Sequence, residues 1–113
     1  MATRCSIKII GEDNKVQFFY HHYDGYPSCV GIDILTYLEE RNQYYDFDQM
    51  VIDINSGFVG ADPTYEPSED IHGDENYVYL IDCNSKELKC YKNTKLSWNE
   101  CDIFIEENLV EIN

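Results

Sequence analysis

The segment "RCSIKIIGEDNKVQFFYHH", residues 4–22, predicts the β-hairpin on which the rest of the fold is built. Its two halves, 4–10 and 16–22, are rich in the β-branched and aromatic residues that favour strands. Between them stands Gly-Glu-Asp-Asn-Lys, a polar connection of the kind that joins antiparallel strands. The sequence therefore predicts two paired strands.

The register of this hairpin is predicted from its apolar residues. We expect Ile9 to lie opposite Phe18 and Ile7 opposite Tyr20, because a shift by one residue mixes apolar with polar side chains. In this register His21 points to the outer face of the sheet. The predicted inner face consists of Cys5, Ile7, Ile9, Val16, Phe18, Tyr20 and His22.

Two helices are predicted after the hairpin. The first runs from Pro27 to about Asn42, since proline suits the first helical turn. Its buried stripe consists of Val30, Ile34 and Leu38. The second begins at Asp46, which forms a capping-box pattern with Gln49, and ends at Gly57.

The remainder of the chain completes the fold class. Residues 58–75 contain two prolines, two glycines and six acids, which predicts a long acidic loop. Strands are expected at 77–83, at 87–93 after a turn at 84–86, and around 102–106. The order β-β-α-α-β-β-β predicts a single α+β domain over residues 1–113, with an antiparallel sheet of about five strands covered on one face by two helices.

Composition indicates a soluble, unexported chain. No window approaches 18 consecutive apolar residues, so no membrane association is expected, and the first ten residues lack the pattern of a secretory signal. The five cysteines are odd in number and widely spaced. Free thiols in a reducing, cytoplasmic compartment are therefore expected.

The segment "HHYDGYPSCVG", residues 21–31, admits three interpretations. In a catalytic one, Cys29 is a nucleophile at a helix start, a histidine is its base and Asp24 orients that base. In a metal-binding one, His21 or His22, Asp24 and His72 join acids of the 62–75 loop, although no ligand spacing matches a known site. In a structural one, Asp24 accepts backbone donors and Gly25 adopts an unusual φ. We favour the structural interpretation and predict no catalytic residue, metal or cofactor.

The first third of the chain resembles a family of small proteins encoded by phages, plasmids and other mobile elements. The family pattern is Met-x-Thr-Arg, then a strand, then Tyr-x-His-Trp-Asp-Gly-Tyr-Pro-x-x-x-Gly. The matching residues are Met1, Thr3, Arg4, Tyr20, His22, Asp24, Gly25, Tyr26, Pro27 and Gly31. Tyr23 stands where the family usually has tryptophan. The resemblance implies an origin in mobile elements and assigns no reaction. A pair between Arg4 and Asp24 would join the two halves of the pattern.

The charge of −14 is unevenly distributed. Ten acids and no lysine or arginine lie between residues 42 and 85, whereas four of the eight basic residues fall at 86–95. Such a field repels phosphate, so direct nucleic-acid binding is not expected. The sign fits a basic protein partner, with carboxylates standing where phosphates would bind. The predicted interface consists of Tyr44, Tyr45, Asp46, Asp48, Asp62, Tyr65, Glu66, Glu69, Asp70, Asp74 and Glu75.

These patterns predict a non-enzymatic protein of a phage or mobile element. We expect it to inhibit a host defence protein that binds nucleic acid, and to do so by nucleic-acid mimicry, as an anti-CRISPR or anti-restriction protein would. Two alternatives stay open. The acids can serve solubility alone. The chain can also bind or sequester a small ligand such as a nucleotide signal. The residues predicted for that site are Arg4, His21, His22, Tyr23 and Tyr26.

Overall fold

The computed structural model of the protein describes residues 3–56, 65–93 and 98–100. Its elements are β1 (Cys5–Ile10), β2 (Val16–His21), α1 (Ile32–Glu40), α2 (Phe47–Asn55), β3 (Glu66–Ser68), β4 (Tyr77–Asp82), β5 (Glu87–Asn93) and β6 (Trp98–Glu100). The strands form one sheet in the order β3-β2-β1-β4-β5-β6. The predicted α+β class is confirmed.

The sheet is mixed. β1 and β4 are parallel neighbours, and every other described pair of strands is antiparallel. A parallel pair needs a long crossover connection, and here both helices lie in the chain between β2 and β4. The expectation of an entirely antiparallel sheet is therefore corrected at its centre.

The predicted hairpin register is wrong by one residue. Ile7 lies opposite Phe19 rather than Tyr20, and Ile9 lies opposite Gln17. Phe19 and His21 consequently point to the inner face, where they are 1% and 4% exposed. The prediction assumed that only one face is covered, but Tyr20 is also buried, on the outer face.

Both helices pack on the inner face of the sheet and share one core with it. The stripe predicted for the first helix is confirmed, since Val30, in the turn before α1, and Ile34 and Leu38, within α1, are buried. From α2, Met50 and Ile54 join the same cluster as the inward residues of β1 and β4. Apolar surface from two helices and four strands is thus removed from water together, which stabilises the fold.

The helix boundaries follow the predicted signals. Residues 27–31, beginning at Pro27, form a π-helical turn that continues into α1. The side chain of Asp46 accepts a hydrogen bond of 3.4 Å from the backbone amide of Gln49, which confirms the predicted cap of α2. Between the helices, Asn42 and Gln43 adopt positive φ values and reverse the chain. Gly57 lies outside the described residues.

Several predicted segments change or fall outside the described residues. Part of the expected 58–75 loop is β3, which pairs with β2 at the edge of the sheet, and 57–64 are not described. The strand expected around 102–106 also lies outside the described residues, whereas β6 lies at 98–100. The four described cysteines are free thiols, as predicted. Within the described ranges, no helix has the length and hydrophobicity needed to cross a bilayer.

Candidate functional site

The segment 69–76, which follows edge strand β3, covers one edge of the outer sheet face, and Glu75 holds it there. Glu75 is 1% exposed. Its carboxylate accepts hydrogen bonds from the hydroxyl of Ser6 on β1 and from the backbone amides of His72 and Gly73, the latter two at 2.8 and 2.6 Å. Glu75, which the sequence placed on the partner surface, is therefore buried, and its carboxyl oxygens bind internal donors instead.

A second set of contacts holds the same segment. The hydroxyl of Tyr20 donates a 2.9 Å hydrogen bond to Asp74, and the His72 ring stacks on Tyr20 at 3.8 Å between centroids. Burial and the bond to Asp74 raise the pKa of Tyr20 to about 12. Asp74 also forms an ion pair with Arg4 at 3.7 Å. The acidic segment is therefore ordered on the sheet.

The residues predicted for small-ligand binding do not converge. His21 points to the inner face and stacks on buried Tyr65, with ring centroids 4.3 Å apart. His22 points to the outer face and lies 3.3 Å from the carboxylate of Glu66. Adjacent strand residues face opposite sides of a sheet, so the two imidazoles cannot line one pocket. Tyr65 is thereby also removed from the predicted partner surface.

The other predicted ligand residues lie apart on the surface. Tyr23 is 41% exposed and contacts the His21 ring, with a centroid separation of 5.4 Å. Tyr26 is 47% exposed and lies beside Tyr77 at 6.4 Å. The predicted pocket is therefore not formed by this set.

The two halves of the sequence pattern, around Thr3 and around Gly25, meet through backbone contacts. The amide of Gly25 donates a 2.9 Å hydrogen bond to the carbonyl of Thr3, and a β-carbon on Gly25 would come within 2.8 Å of Cys5. Glycine is required there because the turn at Gly25 approaches the start of β1 too closely for a side chain. The unusual φ predicted for Gly25 belongs to Asp24, at 56°. Arg4 pairs with Asp74, not with Asp24 as proposed from the sequence.

The interpretations based on catalysis and on metal binding gain no geometric support. Cys29 lies in the turn before α1, on the helix side of the sheet, whereas His22 faces the opposite side. His21 faces the helix side, but its ring is stacked on buried Tyr65. Within 3–56, 65–93 and 98–100, no three histidine, cysteine or acidic side chains are grouped closely enough to hold a metal ion.

The predicted acidic interface divides into two parts. The first, which we call the edge cluster, consists of the exposed Glu66, Glu69, Asp70 and Asp74. The second surrounds Tyr44, Tyr45, Asp46 and Asp48 in the connection between the helices. Asp48 lies 3.9 Å from Lys15, just before β2, whereas Glu66 lies opposite Tyr20 near its other end. Five residues of strand separate the two parts by roughly 17 Å. Asp62 lies outside the described residues.

The second part borders a pocket of about 280 Å³ at the carboxyl ends of β1 and β4, which we call the end pocket. The reversal after α1 brings Tyr44 to Asp48 over these strand ends, beside Gly11, Glu12, Lys15, Cys83 and Asn84. Asn84 donates a 3.0 Å hydrogen bond to the carbonyl of Gly11, which joins the two strand ends. The pKa of Cys83 is raised to about 11 by burial and by the carboxylates of Asp82 and Asp46, so its thiol is neutral at physiological pH.

A groove of about 290 Å³ lies on the outer sheet face, beside the edge cluster. Its apolar lining comes from Phe18, Ile71, Val78, Leu80 and Tyr91, and its charged groups are Lys8 and Asp70. The ammonium group of Lys8 lies 5.6 Å from the centroid of the Phe18 ring. We call this feature the outer groove.

Comparison of the chain with protein-family models, with curated proteins and with solved structures finds no match.

Sequence reasoning missed both cavities for one reason. Each is assembled from segments that are distant in the chain, and their proximity depends on the parallel pairing of β1 with β4 and on the position of 65–76. The signal available in the sequence was the pattern "YVYLID" in 77–82, whose alternating residues Tyr77, Tyr79 and Ile81 match those of β1. That pattern does not distinguish parallel from antiparallel pairing.

Proposed function

We propose that the protein is a non-enzymatic inhibitor that binds the nucleic-acid-binding surface of a basic host protein. In this proposal the carboxylates of the edge cluster replace phosphates, and the target is a bacterial defence protein of the CRISPR-effector or restriction type in the cytoplasm. The resemblance of residues 1–31 to proteins of mobile elements supports a bacterial target.

The observation that carries the proposal is the order of the edge cluster. Glu66 is part of a strand, and Asp74 is held by Tyr20 and Arg4. A preorganised set of carboxylates loses less conformational entropy on binding than a mobile acidic tail does. The cluster can therefore present negative charge at defined positions to a cationic groove.

The charge of the chain supports the same function. A net charge of −14 on 113 residues steers a basic partner and repels nucleic acid. Because exposed charges are screened within roughly 8 Å at physiological ionic strength, binding by this mechanism weakens as salt is added.

The test is release of a host protein from DNA. A bacterial lysate is passed over immobilised DNA, the purified chain is added at low salt, and released proteins are measured. We expect release of a DNA-binding protein, and we expect release to decline as the salt concentration rises. The double variant Glu66→Gln/Glu69→Gln should release about tenfold less at the same concentration, as loss of about 1.4 kcal/mol of interaction would produce.

The matched control is Glu39→Gln/Glu40→Gln, which removes two exposed charges at the end of α1. It should release as much as the unaltered chain. If both double variants released equally little protein, net charge rather than the edge cluster would explain the release, and the proposal would fail. Release that depended neither on salt concentration nor on either pair of substitutions would also contradict the proposal.

The outer groove favours a second candidate, the binding of a small aromatic anion such as a nucleotide. Its apolar lining with a few polar groups is the usual character of a ligand site, and Lys8 offers a cation beside the Phe18 ring. A thermal shift of several degrees with one nucleotide of a panel, lost in Lys8→Gln, would support it. The absence of any shift would favour the inhibitor.

A further inference from the structure

We propose that the end pocket binds a guanidinium group, presented by an arginine side chain of a basic protein. This inference deepens the proposed function and rests on it for the source of the arginine. The chemistry of the pocket, however, can be tested on its own.

The walls of the pocket combine carboxylates with aromatic rings. Glu12, Asp46 and Asp48 supply the carboxylates, and Tyr44 and Phe47 supply exposed or half-exposed rings. A planar guanidinium is the cation that makes paired hydrogen bonds to carboxylate and also stacks on aromatic faces. A bare metal ion is a poorer match, because no described group of three acidic, histidine or cysteine side chains is close enough to chelate one.

The protein's own Lys15 indicates that the site accepts a cation. Its ammonium lies 3.9 Å from a carboxylate oxygen of Asp48 and 6.0 Å from the centroid of the Phe47 ring. The Lys15 side chain is 53% exposed, so it occupies the margin and leaves the space between the strand ends open. Lys15 neutralises one of three carboxylates, and the lining keeps an excess of negative charge.

The floor of the pocket is rigid. The Phe47 ring lies so close to Gly11 that a β-carbon there would approach it to 2.7 Å. Asn84 is hydrogen-bonded to the carbonyl of Gly11, and Asp46 caps α2. The aromatic and acidic groups are therefore positioned before any ligand arrives, which lowers the entropic cost of binding.

The experiment is an NMR titration of the full ¹⁵N-labelled chain with N-acetyl-arginine-amide. We expect saturable shifts with a dissociation constant of about 1 mM, a value typical of one small polar ligand. The shifting amides should be those of Gly11, Lys15, Tyr44, Asp48 and Asn84, while the amides of 66–76 stay unchanged. N-acetyl-lysine-amide and spermidine form the comparison arms, and tighter binding of either would overturn the preference for guanidinium.

Four variants separate this site from general attraction to an acidic protein. Lys15→Gln removes the tethered competitor and should tighten binding about threefold, whereas Asp48→Asn should weaken it about threefold. Tyr44→Ala should weaken it about twofold, and because Tyr44 is 67% exposed the fold is retained. The matched control Glu69→Gln removes one charge from the edge cluster and should leave the affinity unchanged.

Besides tighter binding of a comparison probe, three outcomes would overturn the inference: no saturable shift up to about 20 mM probe, equal weakening by Asp48→Asn and Glu69→Gln, or weaker binding after Lys15→Gln. The proposed function fails separately. If the arginine probe binds but no host protein is released from DNA, the guanidinium site is supported and nucleic-acid mimicry is contradicted.

Discussion

The hydroxyl of Tyr79 donates a 2.8 Å hydrogen bond to the backbone carbonyl of Gly25. This contact joins the centre of the sheet to the Asp-Gly-Tyr-Pro turn, and it is buried. Burial raises the pKa of Tyr79, so the hydroxyl remains a donor throughout the ordinary pH range. Because Gly25 also donates to Thr3, one residue connects the chain just before β1 and the side chain of Tyr79 on β4 with the turn that leads into the first helix.

We expect Gly25→Ala to destabilise the protein by about 2 kcal/mol or more, because the new β-carbon would meet the β-carbon of Cys5 at 2.8 Å. Gly31→Ala is the matched control. Its β-carbon would come no closer than 3.4 Å to Tyr79, and alanine favours the helix, so stability should be unchanged or rise by up to about 1 kcal/mol. Urea unfolding of both variants measures the difference, and equal effects would contradict the close approach at Gly25.

The hairpin register predicts unequal effects for two adjacent phenylalanines. Phe19→Ala should cost about 3 to 4 kcal/mol, because Phe19 is 1% exposed in the core. Phe18→Ala should cost about 1 kcal/mol, because Phe18 lines the half-open outer groove. Denaturant midpoints of the two variants provide the comparison. The register would be contradicted if the order of the two losses were reversed.

Glu75→Ala should destabilise the protein by about 3 kcal/mol, since it leaves the buried hydroxyl of Ser6 and the part-buried amides of His72 and Gly73 without their acceptor. Glu69→Ala, which removes an exposed acid from the same segment, should change stability by less than about 0.5 kcal/mol. Thermal unfolding followed by circular dichroism distinguishes them. If both variants melted at the same temperature, Glu75 would not anchor the segment.

Tyr20 predicts a loss of stability in alkali. Its pKa is about 12 in the folded chain and about 10 in an unfolded one, so its contribution is complete below pH 10 and is lost as the pH rises toward 12. The two-unit difference corresponds to about 3 kcal/mol. Tyr20→Phe should therefore be less stable at pH 8 by about 1 kcal/mol but should lose less stability between pH 10 and 12. An unchanged alkaline slope in the variant would contradict this assignment.

The helices and the class of the fold were predictable from local sequence. The spacing of Val30, Ile34 and Leu38 identified the buried face of α1, and Asp46 with Gln49 identified the start of α2. Helix faces and caps depend on residues within a few positions of one another, so the sequence carries this information directly.

The candidate sites were predictable only in part. Tyr44, Tyr45, Asp46 and Asp48 do line one pocket together, as part of the set chosen from the sequence. Glu12 and Lys15, more than 25 positions away, were missed, and buried Glu75 and Tyr65 were wrongly assigned to the surface. The neighbouring residues of an acid in a Gly- and Pro-rich segment indicate that its side chain is exposed to solvent. Only the hydrogen-bond donors from distant parts of the chain reveal that it is buried.

The sequence by itself determined an α+β chain with an acidic, one-signed charge, two capped or striped helices and a glycine at the turn before the first of them. Tertiary structure decided which face each hairpin residue takes, that β1 and β4 run parallel, and which carboxylates reach water. The physical reason is that helix formation and net charge follow from local or additive properties of residues. Strand register and side-chain burial depend on which distant segments cover each face of the sheet.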